Sequence, residues 1–201
     1  MAKVKNTKNE LKAQRDALKR YERYLPTLRL KKQQLQMELR GIEQKLDASV
    51  ARENQLLDQL GGWIALFSDP VDFTPYVAIT KLVTDEANVA GVTIPVLRDV
   101  EFERHPPDLF ATPAWWDDGV DLLAELTKLR LERRIFEEQK RRLAEELRIT
   151  NQRVNLFERV KIPECKEAIR KIRIYLGDVQ TLDVARSKIA KQKALERETA
   201  T

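Results

Sequence analysis

The sequence predicts a mainly α protein: a long antiparallel two-helix coiled coil with a small β-hairpin-containing middle insertion. Three observations carry this. Leucines step by seven through the first sixty residues, at Leu11, Leu18, Leu25, Leu39, Leu46 and Leu60. A second rail, offset by three, holds Tyr21, Leu28, Leu35, Ile42 and Leu56. A matching seam returns near the other end of the chain, so one narrow apolar stripe can be buried against another. The composition agrees, with 34% charged residues and 6% aromatic, a balance suited to paired helices rather than a thick core.

The first shaft helix (residues 1–60) is expected to begin near Thr7 and to span ~80 Å at 1.5 Å per residue. Lys32 and Glu53 occupy the two polar steps of the leucine ladder. Pro26 removes one backbone hydrogen bond and is expected to bend the helix. Gly61-Gly62 ends it.

Residues 61–119 form the middle insertion and hold six of the eight prolines and four of the six glycines. Tyr76 to Val83 is rich in β-branched residues and reads as a strand; Val92 to Val96 reads as a second, with Leu97 to Phe102 as its continuation. Gly91 lies between them, where positive φ favours glycine. Pro95 implies an edge or a break. Trp115-Trp116 has two readings: packing of the insertion onto the helices, or an exposed aromatic partner site.

The C-terminal shaft helix and polar tail (residues 120–201) are expected to start near Asp117-Asp118, whose charge suits a helix N-terminus. The seam runs through Leu122, Leu126, Leu129, Phe136, Leu143, Leu147, Val154 and Phe157. Its phase changes around Ile162-Pro163 and resumes through Cys165, Ile169, Ile172, Leu176 and Val179. Beyond Ala194 the helix is expected to fray. Matching Leu60 to Leu122 sets an antiparallel register in which partner numbers sum to about 182, and brings Pro26 opposite a position a few residues from Pro163. Both helices are therefore expected to bend at one level.

Charge is uneven. Residues 1–40 carry +8, residues 61–121 carry −8 and residues 153–201 carry +5. With the two ends side by side, one tip becomes strongly positive, carrying Lys12, Arg15, Lys19, Arg20, Arg186, Lys188 and Lys191. A solvated exterior accounts for most of the individual lysines.

Catalytic patterns are absent. The glycines at 41, 61, 62, 91, 119 and 177 cannot build a phosphate loop. The single histidine, His105, precedes Pro106-Pro107 and has no second histidine to help hold a metal. The single cysteine, Cys165, sits in an apolar pattern and reads as a small buried hydrophobe. Glu137-Glu138 and Glu145-Glu146 alternate with basic clusters as exposed ion pairs. No catalytic residue, metal site or cofactor is expected, and neither is a signal peptide or membrane span, so a cytosolic protein is expected.

Three segments resemble the D subunit of the V-type and A-type rotary ATPases. One is Asn88-Val89-Ala90-Gly91-Val92-Thr93-Ile94-Pro95-Val96. Another is Arg153-Val154-Asn155-Leu156-Phe157-Glu158-Arg159-Val160-Lys161-Ile162-Pro163. The weakest is Leu28-Arg29-Leu30-Lys31-Lys32-Gln33-Gln34-Leu35. Pro26 and Phe157 depart from that pattern. The resemblance implies a central rotor shaft, itself non-catalytic. Its paired terminal helices would enter a catalytic head built of A and B subunits, and its middle region would bind a small F subunit. Its looped end would rest on the funnel-shaped C/d-type subunit above the membrane ring. The chain would then be a peripheral part of a membrane-bound complex, coupling ATP hydrolysis or synthesis to ion translocation. The basic tip would press on acidic loops of the head. The alternative is a prefoldin-like coiled-coil chaperone or scaffold, which needs apolar residues exposed at its tips, whereas both tips here read as polar. A nucleic-acid-binding coiled coil lacks the aromatic interleaving it would need.

Overall fold

A computed structural model describes residues 5–61, 78–103 and 115–199. In chain order the elements are helix α1 (Lys8–Leu60), strands β1 (Ala78–Val89) and β2 (Val92–Glu103), helix α2 (Trp116–Leu156), a π-helical turn (Phe157–Lys161) and helix α3 (Ile162–Thr199). The chain divides into two compact units. One comprises residues 1–30 with 150–201, the other residues 31–149.

Thr7 starts α1. Its hydroxyl accepts the Glu10 backbone N–H at 3.2 Å, one half of a capping box. Every described member of the two leucine rails is buried or half-buried, including Lys32 and Glu53, and the faces between them are mostly exposed. The α1 ladder closes at Gly61, whose N–H reaches the carbonyls of Leu57 and Asp58. Gly62, the Tyr76-Val77 start of the first expected strand, and His105 lie outside the described residues.

Within each unit the pairing is antiparallel. In the unit of residues 1–30 and 150–201, Glu22 meets Lys166, Arg29 meets Glu158, and the rings of Tyr21 and Phe157 lie 5.0 Å apart. In the unit of residues 31–149, Lys31 meets Glu146, Glu43 meets Lys140 and Arg52 meets Glu125. Partner numbers sum to within about six of 182, the register expected from the seam alone.

The hairpin is longer than its β-branched residues announced. β1 continues to Val89 through Asp85-Glu86-Ala87-Asn88, residues poor in strand propensity, because β2 pairs with them throughout. The chain reverses in two residues, Ala90 (φ 50°) and Gly91 (φ 82°). Positive φ at both central positions marks a primed turn, the twist that two-residue hairpins require. Asn88 Oδ1 accepts the Gly91 N–H at 3.0 Å and steadies the reversal. Glycine was expected to take this geometry; alanine was not. Gly91→Val would force a β-branched residue into left-handed backbone, and should lower stability by about 1–2 kcal/mol in urea unfolding without changing helix content.

α2 starts at Trp116, whose ring is buried, in keeping with the packing reading of the pair and not with an exposed partner site; Trp115 is half-buried. Two corrections follow. α3 stays helical to Thr199 instead of fraying after Ala194, since Lys, Gln, Ala, Leu, Glu and Arg all favour helix. Its closing turns are not uniformly polar: Leu182, Val184, Ile189 and Leu195 are all more than half exposed. Averaging over a charged segment hid those residues.

Candidate functional site: a hairpin cradle and a basic terminal groove

The cradle belongs to the unit of residues 31–149. Val89 pairs with Val92 across the two-residue turn, and the ladder then alternates. Ala87 and Val89 share a face with Val92 and Ile94. That face packs on Leu35, Leu39, Ile42 and Leu46 of α1 and on Phe136, Leu143 and Leu147 of α2, with Leu35 and Leu143 fully buried. Thr93 and Pro95 occupy the non-hydrogen-bonded positions, so their carbonyls point away from β1. Side chains of α2 take both. Arg142 Nη1 donates to the Thr93 carbonyl at 3.1 Å, and the buried Gln139 Nε2 donates a short hydrogen bond to the Pro95 carbonyl. Proline is harmless there, because its missing N–H would have faced α2 and not β1. The outer edge of β2 is thereby capped, as edge strands require.

Charged groups fix the cradle. Glu138 accepts hydrogen bonds from both Arg141 and Arg142, which hold its carboxyl at about 2. The sign follows: any stability it adds is present above the ordinary carboxylate range and is lost only as pH falls toward 2. Arg142 is thus steered by Glu138 on one side while it grips the hairpin on the other. Lys31 Nζ lies 2.6 Å from Glu146, and a Cβ added to Gly91 would sit 3.9 Å from that same nitrogen. Glu53, the acid in the leucine ladder, is only 13% exposed; Arg130 at 3.0 Å and Arg133 at 3.4 Å compensate it.

The groove belongs to the unit of residues 1–30 and 150–201. Leu18, Ile169 and Ile174 form its apolar lining, and Arg15, Lys19, Lys166, Arg170 and Arg173 surround a space of about 720 Å³ with Glu22 the one acid among them. Lys166 is paired with Glu22 and Arg170 with Glu167. Cys165 is buried near this seam, and burial pushes its thiol above the ordinary range, so it is protonated at neutral pH.

The residues singled out in sequence fall as follows. Asn88, Val89, Ala90, Gly91, Val92, Thr93 and Pro95 make the hairpin tip and its captured edge, brought against Lys31 and Leu35 of the Leu28–Leu35 block. Arg153, Val154, Asn155, Glu158, Ile162 and Pro163 run from the end of α2 through the π turn into α3; Val154 is buried, Arg153, Asn155 and Glu158 are exposed. Of the basic tip, Lys12, Arg15, Lys19, Arg20, Arg186, Lys188 and Lys191 are all exposed. Only Arg15 and Lys19 line the groove, and Arg186 reaches Asp183 at 3.7 Å. Sequence reading missed Lys166, Arg170 and Arg173, although their spacing of four and three places them on one helix face. It also missed Gln139 and Arg142, which look like ordinary exposed helix residues until a strand edge lies beside them. No helix among the described residues is long and apolar enough to cross a membrane.

The chain is similar to known proteins along nearly its whole length. The model of the ATP synthase D subunits matches residues 10–192. In Borreliella burgdorferi, a V-type ATP synthase D subunit is 44% identical over 197 residues, covering 98% of each chain. Proteins of the same name in Chlamydia muridarum and Chlamydia caviae are 35% and 33% identical, over 96% and 98% of this chain and 96% of each of theirs. With a match of that extent and a paired-helix and hairpin architecture, the chain belongs to the family of ATP synthase D subunits.

Proposed function

We propose that this chain is the central-stalk shaft of a V-type ATP synthase or ATPase, a non-catalytic component that couples ATP hydrolysis or synthesis to ion translocation. The observation that carries the reading is the terminal seam. Leu11, Leu18, Tyr21, Leu25 and Leu28 on α1, and Val154, Cys165, Ile169 and Ile172 on the returning helix, are all shielded, while the surrounding faces are charged and exposed. Two interlocked helices resist twist better than one. An exposed ionic exterior can pass similar neighbours in turn without sticking, because surface ion pairs contribute only about 0–1 kcal/mol each and re-form easily.

In this reading the terminal helices enter a head of catalytic A and B subunits. The middle of the chain binds the small F subunit, and its looped end rests on the funnel-shaped C/d-type subunit. The complex is membrane-bound, and this chain stays peripheral on the cytoplasmic side. The basic residues from Lys12 to Arg20 and from Arg186 to Lys191, with the exposed Leu182 and Ile189 of α3, meet acidic and apolar loops of the head. Co-purification of two large nucleotide-binding proteins with the tagged full-length chain is the expected result; their absence would refute the reading. Replacing Lys12, Arg15, Lys19, Arg20, Arg186, Lys188 and Lys191 by glutamine should reduce ATP-coupled rotation at low salt by about tenfold, with a smaller difference at high salt. Unchanged coupling at low salt would remove the basic tip from the contact.

A further inference from the structure

A heptad seam advances by three or four residues at a time. On the returning helix it reaches Thr150, Val154 and Phe157 in steps of four and three, and resumes at Ile162, Cys165, Ile169 and Ile172 in steps of three and four. Between Phe157 and Ile162 the step is five. Continued as α-helix, that surplus residue would turn Cys165, Ile169 and Ile172 about 100° away from the partner helix. They are nonetheless buried, as are Thr150 and Val154. The π turn Phe157–Lys161 reconciles the two: the Ile162 N–H bonds to the Phe157 carbonyl, five residues back, and one residue is looped into the helix wall.

The turn itself is lightly held. None of its five residues is buried. Pro163 follows and brings no N–H, so one carbonyl of the turn has no helical donor. Its ties to α1 include the Tyr21–Phe157 ring contact and the Arg29–Glu158 pair, both of whose side chains are about half exposed. Firmly buried seam lies on either side of it.

We propose that the π turn is a torsion joint, the point at which the returning helix yields to twist before either flanking seam gives way. The turn's backbone hydrogen bonds can lengthen or exchange one carbonyl acceptor for the next, so the segments that carry Val154 and Cys165 can rotate slightly against each other without either residue leaving its seam. The proposal rests on the reading of this chain as a shaft, because only a shaft under torque makes use of such a joint.

Deletion of Arg159, which is exposed and at the middle of the turn, removes the surplus residue. In the full-length protein the expected result is an intact helix signal, a Tm within about 3 °C of the parent, and backbone amide exchange across Phe157–Ile162 slowed about tenfold to the level of the neighbouring turns. Deletion of Gln152, from the regular part of α2, should instead put the seam out of phase and lower Tm by more than about 10 °C. In the assembled complex, deletion of Arg159 should narrow the thermal angular fluctuations of a bead carried by the rotor. Equal loss of Tm from the two deletions would overturn the proposal. So would parent exchange no faster at the turn than at Val154 and Ile169, or unaltered bead fluctuations. The exchange and deletion measurements are made on the isolated chain, so they separate failure of the joint from failure to co-purify with a head.

Discussion

Leu143→Ala should lower the unfolding free energy by about 3–5 kcal/mol, among the largest losses expected of any single truncation in this protein. Leu143 has no exposed surface and packs with Leu35 and Ile42 of α1 and Ile94 of β2. The cavity left by its side chain would therefore have walls from three elements, none of which can close on it alone. For a chain of this length the loss corresponds to a fall in Tm of roughly 10 °C. Amide exchange at the tip of the hairpin should accelerate with it, since Ile94 loses its floor. Leu143→Met keeps the volume and should cost under about 1.5 kcal/mol. Chemical denaturation of the two variants checks the argument. A loss below about 1 kcal/mol for the alanine variant would mean that the hairpin is not seated on that leucine.

Ile172→Asp should do comparable damage in the other unit, by about 3–5 kcal/mol, and by a different route. Ile172 is fully buried in the terminal seam with Ala168 and Ile169 nearby on the same helix. A carboxylate placed there loses water and gains no partner designed for it. Ile174, two residues on, is more than half exposed, and Ile174→Asp should change stability by only about 0.5 kcal/mol. The pH dependence gives a second check. Burial would raise the folded-state pKa of the introduced acid above its unfolded value, so the penalty is full at neutral pH and shrinks as pH falls and the group protonates. Equal stability of the two aspartate variants would contradict the seam. In the assembled rotor the Ile172 variant should lose torque transmission as well, because the terminal helices would part where they are proposed to be gripped.

The seam was legible because it depends on periodicity alone. Leucine at every seventh place and a second rail offset by three specify which stripe is buried whatever the partner. The single register near 182 follows from where each rail stops. The change of phase at Ile162 could be read too, but only as an interruption. That it takes the form of a π turn depends on both flanking seams being satisfied at once, which no local window contains. The hairpin was half legible. Val92 to Val96 announces a strand by its β-branched residues, whereas Asp85 to Asn88 is a strand because β2 supplies its hydrogen bonds.

The cradle was not legible. Gln139 and Arg142 lie on a helix full of similar residues, and nothing in their spacing singles them out. They matter because Pro95 and Thr93 turn unpaired carbonyls toward them, a fact created by the pairing of two strands and their seating on Ile42, Leu35 and Leu143. The terminal groove divides the same way. Arg15 and Lys19 could be named from the basic character of the first forty residues, but Lys166, Arg170 and Arg173 join them through the antiparallel return.

By itself, then, the order of residues determined which faces are apolar, how the helices are phased and the register in which they run, because burial of a periodic stripe is a property of the chain's own repeat. Tertiary packing decided where the hairpin lies, which polar side chains close its edge and how a surplus residue is stored. Each of those depends on groups distant in sequence meeting in space and satisfying backbone donors and acceptors that no single segment could satisfy alone.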